Sequence, residues 1–406
     1  MICLVQTSND QLAILGGQPT RSELLPYGRQ WIDDTDIESV IQTLKSPFLT
    51  QGPRIKEFEN SVAQYVGAKY AVSFSNGTAA LHGACFAAGI GEGDEVITTP
   101  MTFAASANCV RYCGGTVVFA DIESDTYNID KFKIKSLLTP KTKAIIPVDF
   151  TGQPADMDEI MELARDRNLV VIEDAAHSLG ADYKGRKVGS IADMTMFSFH
   201  PVKHVTTGEG GIITTNSLEY YEKLLLFRSH GITRDKDLLE HKNEGDWYYE
   251  MHELGFNYRI TDIQAALGSS QLSKLDGFVA RRKAIAQQYN EAFAMNATLI
   301  TPFQKSDRES SWHLYIIQLK LDELKVGRKE VFDALRKENI GVNVHYLPVH
   351  YHPYYKNLGY EKGIADVAET LYQGIISLPL FPAMLDSDIQ DVVNAVEKVL
   401  GYYRRT

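Results

Sequence analysis

The chain of 406 residues is too long for one minimal domain and suits a large domain joined to a smaller one. With 44% hydrophobic, 23% charged and 10% aromatic residues, its composition excludes disorder, a collagen-like repeat or a coiled coil as the main state. The 41 Lys and Arg against 52 Asp and Glu leave a net charge of −11, so there is no broad electrostatic footprint for nucleic acid, while local basic pockets for small anions remain open.

The opening MICLVQTSNDQL lacks the basic and apolar stretches of a secretion signal. No apolar run approaches the roughly 18 residues needed to cross a bilayer. A cytoplasmic protein with no membrane partner is expected. Residues 1–30 read as an N-terminal arm, frayed or lying on the surface by default. Cys3, Cys85, Cys109 and Cys113 are too few for a disulfide framework. Cys109 and Cys113 have no second ligand pair behind them, so no metal is expected and the thiols read as small buried hydrophobes.

Residues 31–278 read as a large α/β domain. KYAVSFS, from Lys69, is an expected strand, followed by a helix over 78–88. DEVITTP, from Asp94, is a strand, 103–113 a helix, and TVVFADI, from Thr116, a strand. KAIIPVDF, from Lys143, leads to an amphipathic helix over 156–168, and LVVIEDA, from Leu169, is the next strand. MTMFSFH, from Met194, and GGIITT, from Gly210, complete the set. Strands that are apolar throughout and alternate with helices predict a mostly parallel central sheet with helices on both faces. In such sheets ligands gather beyond the carboxyl ends of the strands. Residues 279–406 read as a smaller C-terminal α+β domain, with helices over 280–294, 327–338 and 385–402 and strands over 313–321 and 341–346.

Three motifs sit just after strands. In FSFHPVKHVTTGEGG (197–211), Lys203 lies in a short segment rich in Thr and Gly. A lysine amine is a nucleophile only when unprotonated, which a desolvated or cationic site achieves. Taken alone, Lys203 reads as a surface lysine; its neighbours change that. In VIEDAAHSLGA (171–181), a strand ends on Glu173 and Asp174. A carboxylate there can pair with a protonated ring nitrogen of a bound heterocycle, or it can cap a following helix. His177 lies three residues on and alone reads as a structural histidine. In FSNGTAAL (74–81), Asn-Gly-Thr makes the turn into a helix. Glycine lets the backbone approach closely, and the first helical turn offers free N–H groups to a phosphate. No P-loop and no correctly placed dinucleotide fingerprint is present, which argues against ATP and NAD.

A phosphate turn, a ring-nitrogen carboxylate and a lysine together match the needs of pyridoxal phosphate (PLP). TTPMTFAAS (98–106) adds Phe103, which suits either a stacking plate for the ring or core packing.

On these words the chain resembles the fold-type-I, PLP-dependent sugar aminotransferases of the DegT/DnrJ/EryC1/StrS family. The resemblance runs from FLTQGP (48–53) to ISLPLFP (376–382). Within the family it looks most like the transaminases of pseudaminic acid synthesis, through SFHPVKHVTTGEGG, FRSHGIT (227–233), ELGFNYRITDIQAALGSSQLSKLD (253–276) and VHYLPVHY (344–351). An extension of roughly twenty residues before Pro26 and Tyr27 departs from the family pattern.

The resemblance implies roles. Lys203 would join the cofactor's aldehyde, Asp174 would pair with its pyridinium nitrogen, and His177 would hydrogen-bond its phenolic oxygen. Phe103 would stack on the ring, and Gly77, Thr78 and Ser198 would bind the phosphate. Asn257 would reach the phosphate of a neighbouring subunit, which implies a homodimer with shared active sites. Tyr27, Phe48, Leu49, Thr50, Asn76, Ser198, Asn257, His345 and Tyr346 would contact a nucleotide-linked 4-keto sugar. Arg259 would take the carboxylate of the donor, L-glutamate, or the pyrophosphate; it reads equally as a solvated surface arginine. The implied activity is a 4-aminotransferase acting on UDP-2-acetamido-2,6-dideoxy-β-L-arabino-hexos-4-ulose. Perosamine-, bacillosamine- and spore-coat-type keto sugars are alternatives. Sugar dehydratases of the family replace the lysine with histidine, whereas Lys203 is present here with His204 beside it. A DNA-binding regulator built on the same body would need more chain than the arm provides.

Overall fold

A computed structural model describes residues 11–405; Cys3 and the first ten residues of the expected arm lie outside the described residues. The central sheet has seven strands: β1 (Tyr70–Phe74), β2 (Glu95–Thr98), β3 (Thr116–Phe119), β4 (Thr142–Ile146), β5 (Val170–Asp174), β6 (Met194–Ser198) and β7 (Gly211–Thr215). Their order across the sheet is β1-β7-β6-β5-β4-β2-β3. The pairs β3–β2, β2–β4, β4–β5 and β5–β6 are parallel, as the all-apolar strands require. β7 alone is reversed, pairing antiparallel with both β6 and β1. The cause is local. No crossover helix separates β6 from β7, and a short loop can join only antiparallel neighbours.

Alternation along the strands covers both faces. Val72, Phe74, Ile172 and Met196 pack under the helices Gly77–Ala87, Ala105–Tyr112 and Leu218–Arg228. Ala71 and Phe197 face the helices Pro53–Val66 and Asp262–Leu272, and Val171 faces Met157–Arg167. The helix termini are sequence-coded. Pro53 opens one helix after Gly52, and Gly67 closes it in the left-handed region. Thr261 and Gln264 form a capping box at the start of Asp262–Leu272. The helix expected over 103–113 forms over Ala105–Tyr112, which leaves Phe103 in the turn before it.

Gly211 packs where a side chain cannot go. A Cβ there would lie 2.6 Å from the backbone C and O of Asn76 and 2.7 Å from the Cα of Gly77. The Gly211→Ala protein is expected to lose about 1–3 kcal/mol of stability, since backbone cannot yield as a side chain does. A urea titration followed by circular dichroism checks this; an unchanged midpoint would contradict the close approach.

The C-terminal region has a smaller sheet of β8 (Leu299–Ile300), β9 (Tyr315–Leu319) and β10 (Ile375–Leu378), all antiparallel, in the order β8-β9-β10. Tyr315, Ile317, Ile376 and Leu378 face one core with helices Leu275–Phe293, Arg328–Lys337 and Asp386–Tyr403. Leu314, Ile316 and Ile375 face Met101, Ile122 and Phe150 of the large unit. The helix Leu275–Phe293 runs unbroken across position 278/279, where the boundary was expected. The strand expected over 341–346 does not form: only Asn343 bridges to Ser377, with Asn343 Oδ1 accepting the N–H of Val344 and His345 Nδ1 hydrogen-bonded to the Ser377 hydroxyl. β10, which sequence reading did not separate from the ISLPLFP motif, takes its place.

The described part of the arm is not frayed. Leu12 is fully buried in the C-terminal core. The buried carboxylate of Glu338 accepts the N–H groups of Ala13 and Thr20, the Thr20 hydroxyl and the Lys398 ammonium. Arg21 pairs with Asp388 at 2.8 Å and Asp391 at 2.6 Å. This clamp delivers Tyr27, whose carbonyl accepts the N–H of Leu380, to the edge of the site described next. Among the described residues no helix is long and apolar enough to cross a membrane, and Cys85, Cys109 and Cys113 are free thiols.

Candidate active site

The carboxyl ends of β5 and β6 open on a cavity of about 670 Å³. Lys203 lies in the loop 199–210 between β6 and β7. Threonines there satisfy the backbone that no helix or strand would: Thr206 Oγ1 donates to the Phe199 carbonyl at 3.2 Å and Thr207 Oγ1 to the Glu209 carbonyl at 2.7 Å. The Lys203 side chain enters the cavity, and its Nζ lies 3.3 Å from Nε2 of His313. Burial pulls the ammonium down to about 7; the Arg282 charge adds to this, and Asp174 opposes it. The amine is thus available unprotonated near neutrality, as a lysine nucleophile requires.

Asp174 ends β5. Its Oδ2 accepts the Ser106 hydroxyl at 2.6 Å and its Oδ1 the N–H of Ala176 at 3.2 Å. No helix follows, so the capping alternative falls: residues 176–180 are turns. Burial raises the Asp174 carboxyl, while Ser106, Ala176 and the Lys203 charge hold it down. A buried carboxylate beside a cavity and without its own ion pair fits a protonated ring nitrogen. Glu173 alternates to the other face and accepts the Thr195 hydroxyl at 2.8 Å. The Ser106→Ala protein is expected to lose about tenfold in turnover, the value of one hydrogen bond to a charged acceptor. Steady-state kinetics checks this, and an unchanged kcat would remove Ser106 from the site.

At the other end, the helix Gly77–Ala87 points its first turn into the cavity. Asn76 caps it, its Oδ1 accepting the N–H of Ala79 at 2.8 Å. The N–H groups of Gly77 and Thr78 find no acceptor among the described residues. A Cβ on Gly77 would stand 3.3 Å from that of Ser198, so the glycine keeps the cradle open beside the Ser198 hydroxyl. Two free N–H groups at a helix N-terminus and one hydroxyl suit a phosphate. The residues present therefore fit pyridoxal phosphate at both of its charged ends.

Phe103, His177, His345 and Tyr346 line the walls. Phe103 is 61% exposed, so it is not core, and its ring centroid lies 6.2 Å from that of Tyr346. His177 Nε2 is 3.1 Å from the Tyr346 hydroxyl, and its buried Nδ1 has no partner. Burial, then the charge of Lys203, pushes His177 well below the usual histidine range, so it is a neutral hydrogen-bonding group. Tyr27 approaches His345 with centroids 5.2 Å apart.

Of the residues singled out in the sequence, the cavity thus gathers Tyr27, Asn76, Gly77, Thr78, Phe103, Asp174, His177, Ser198, Lys203, His345 and Tyr346. Phe48, Leu49, Thr50, Asn257 and Arg259 do not line it. They belong to two neighbouring surface segments, joined where Thr50 bridges Thr261 and the N–H of Asp262 donates to the Leu49 carbonyl at 3.0 Å. Sequence reading missed Ser106, which carries no signal beyond its place in TTPMTFAAS. It also missed His313, which it took as the first residue of a strand.

A family model described as the DegT/DnrJ/EryC1/StrS aminotransferase family matches residues 30–397. The spore coat polysaccharide biosynthesis protein SpsC of Bacillus subtilis is 44% identical over 382 residues, covering 94% of this chain and 98% of that one. A UDP-4-amino-4,6-dideoxy-N-acetyl-beta-L-altrosamine transaminase of Campylobacter jejuni is 40% identical over 380 residues, covering 93% and 98%. Helicobacter pylori PseC, an aminotransferase involved in the biosynthesis of pseudoaminic acid, superposes with a TM-score of 0.88 at 32% identity, covering 94% of this chain and 100% of that one. The chain belongs to the DegT/DnrJ/EryC1/StrS aminotransferase family, shares the architecture of the fold-type-I PLP transferases, and is a PLP-dependent sugar aminotransferase.

Proposed function

We propose that the protein transfers the amino group of L-glutamate to C4 of a nucleotide-linked 4-keto-6-deoxy sugar, in pseudaminic acid biosynthesis. The sugar is UDP-2-acetamido-2,6-dideoxy-β-L-arabino-hexos-4-ulose. The observation that carries this reading is the placement of the Lys203 amine in one cavity with a buried aspartate and an open helix N-terminus.

Bound PLP supplies a carbonyl that accepts the amino group and a ring that spreads the electron pair left when the donor Cα loses its proton. The remaining work falls to the chain. Gly77, Thr78 and Ser198 hold the phosphate. Asp174 keeps a proton on the ring nitrogen, Phe103 covers the ring, and His177 meets the phenolic oxygen. Lys203 Nζ, once free and unprotonated, takes the proton from the donor Cα and later supplies one to C4 of the sugar. Glutamate leaves as 2-oxoglutarate, a water supplying its new keto oxygen, and the keto oxygen of the sugar leaves as water. Tyr27, Asn76, His345 and Tyr346 orient the sugar over the reacting carbon.

Phe48, Leu49, Thr50, Asn257 and Arg259 act in the site of a second subunit of a cytoplasmic homodimer. Asn257 reaches that subunit's phosphate, and Arg259 its donor carboxylate or pyrophosphate. Their common surface location supports this, as does the exposure of Trp247 (76%) and Leu254 (77%) in the chain segment before Asn257.

The identity of 44% to SpsC, against 40% to the altrosamine transaminase, favours a second reading in which the acceptor is a spore-coat-type keto sugar. One or two hydroxyl contacts decide between such sugars. A panel of UDP-, GDP- and dTDP-linked 4-keto sugars with glutamate, followed by NMR of the products, tests both. Amination of the UDP-β-L-arabino sugar is expected. Amination of only another sugar would establish the second reading, and amination of none would overturn both.

A further inference from the structure

The amine of Lys203 has one side-chain hydrogen-bond partner among the described residues, and it comes from the C-terminal region: Nε2 of His313, 3.3 Å away. Three other buried histidines stand around it, each with a different partner. His177 Nε2 meets the Tyr346 hydroxyl at 3.1 Å, His204 Nε2 the Ser311 carbonyl at 2.9 Å, and His345 Nδ1 the Ser377 hydroxyl at 2.8 Å. The His313 ring has only Lys203, for its Nδ1 is buried without a partner.

The segment that presents His313 is fixed from several sides. Arg282, fully buried on the helix Leu275–Phe293, donates through Nη1 to the carbonyls of Trp312 at 3.3 Å, His313 at 3.2 Å and Leu380 at 2.9 Å. Ser311 donates its N–H to the Gly152 carbonyl at 3.1 Å and its hydroxyl to the His177 carbonyl at 2.9 Å. Trp312 takes a φ of 53°, a left-handed conformation that the surrounding bonds must hold. So much support for one irregular residue pair places the imidazole firmly against the amine.

We infer that His313 is a positioning residue for Lys203: its Nε2 accepts one N–H of the free amine and so turns the lone pair of Nζ toward the reacting carbon. The inference rests on the reading of Lys203 as the amine that joins the cofactor. No proton changes hands in this contact. The amine keeps both hydrogens, one of them directed at Nε2, and the imidazole carries its own proton on Nδ1. Burial foremost, and the Lys203 charge next, hold His313 neutral, so it accepts the hydrogen bond without competing for the proton. Fixing one N–H of a primary amine reduces the directions open to its lone pair, which is how orientation enters a rate.

The test is the capture of pyridoxal phosphate by the cofactor-free full-length protein. It is followed by stopped-flow visible absorbance in mildly alkaline buffer, where the wild-type amine is unprotonated. His313→Leu, which removes the acceptor, is expected to slow capture on the order of tenfold or more, while His313→Gln, which keeps one, is expected to stay within about threefold of wild type. His313→Met, an apolar chain of similar reach, replaces the Leu variant if that one does not fold. Capture by the apolar variant at the wild-type rate overturns the inference, as does equal slowing in the apolar and Gln variants, which would mark a packing role. Failure of the wild-type protein itself to capture the cofactor overturns the Lys203 reading as well, so the two failures are distinguishable.

Discussion

The Lys203→Ala protein is expected to lose turnover by roughly 10⁴-fold or more and to lack the visible absorbance of a cofactor joined to the chain. The size of the effect follows from the double use of one atom. Nζ is both the group that joins the cofactor and the base that moves the donor Cα proton, and no second lysine lines the cavity among the described residues. The pH dependence has a definite sign. Burial lowers the amine to about 7, so capture of the cofactor by the cofactor-free wild-type protein should rise with pH through that value and level off above it. An amine with the ordinary lysine value would still be rising near pH 10. Absorbance spectra and a coupled assay for 2-oxoglutarate check the variant. Transamination at near wild-type rate would remove Lys203 from the mechanism.

The Asp174→Asn protein is expected to keep bound cofactor but lose turnover by about 10²–10³-fold. An amide fills the same space and can still accept the Ser106 hydroxyl, now 2.6 Å from the carboxylate. It cannot, however, hold a proton on the ring nitrogen by charge. The loss therefore falls on the step that removes the Cα proton, where an electron pair needs a positively charged ring to receive it. A single-turnover measurement with glutamate isolates that step from sugar binding. Full activity in the variant would show that Asp174 has only a structural role at the end of β5.

The sheet and the chemical core of the site were legible in the sequence for one physical reason. Buried parallel strands must be apolar throughout, so KAIIPVDF and LVVIEDA stand out, and the polar residues that end them are the ones that meet the ligand. Asp174 and Ser198 end strands, Gly77 and Lys203 lie in the segments that follow strands, and all four line the cavity. What escaped depends on tertiary structure rather than on pattern. GVNVHY alternates like a strand, but Asn343 turns its side chain back on the N–H of Val344, and only Asn343 bridges to Ser377. His313 follows a residue with a left-handed backbone, which no alternation announces. The arm reads as frayed or surface-lying because its hold lies in Glu338, a carboxylate far along the chain that ends an expected helix and is fully buried. Asn257 and Arg259 raise a different difficulty, since their proposed partners belong to another subunit and no pattern within one chain can display them.

The central claim is that the amine of residue 203 is the one that joins pyridoxal phosphate. Its most direct test is borohydride reduction of the holoenzyme, followed by proteolysis and mass spectrometry of the labelled peptide. A phosphopyridoxyl group fixed on Lys203 is the predicted result. The same group on any other lysine, or none on a protein shown to hold the cofactor, would contradict it.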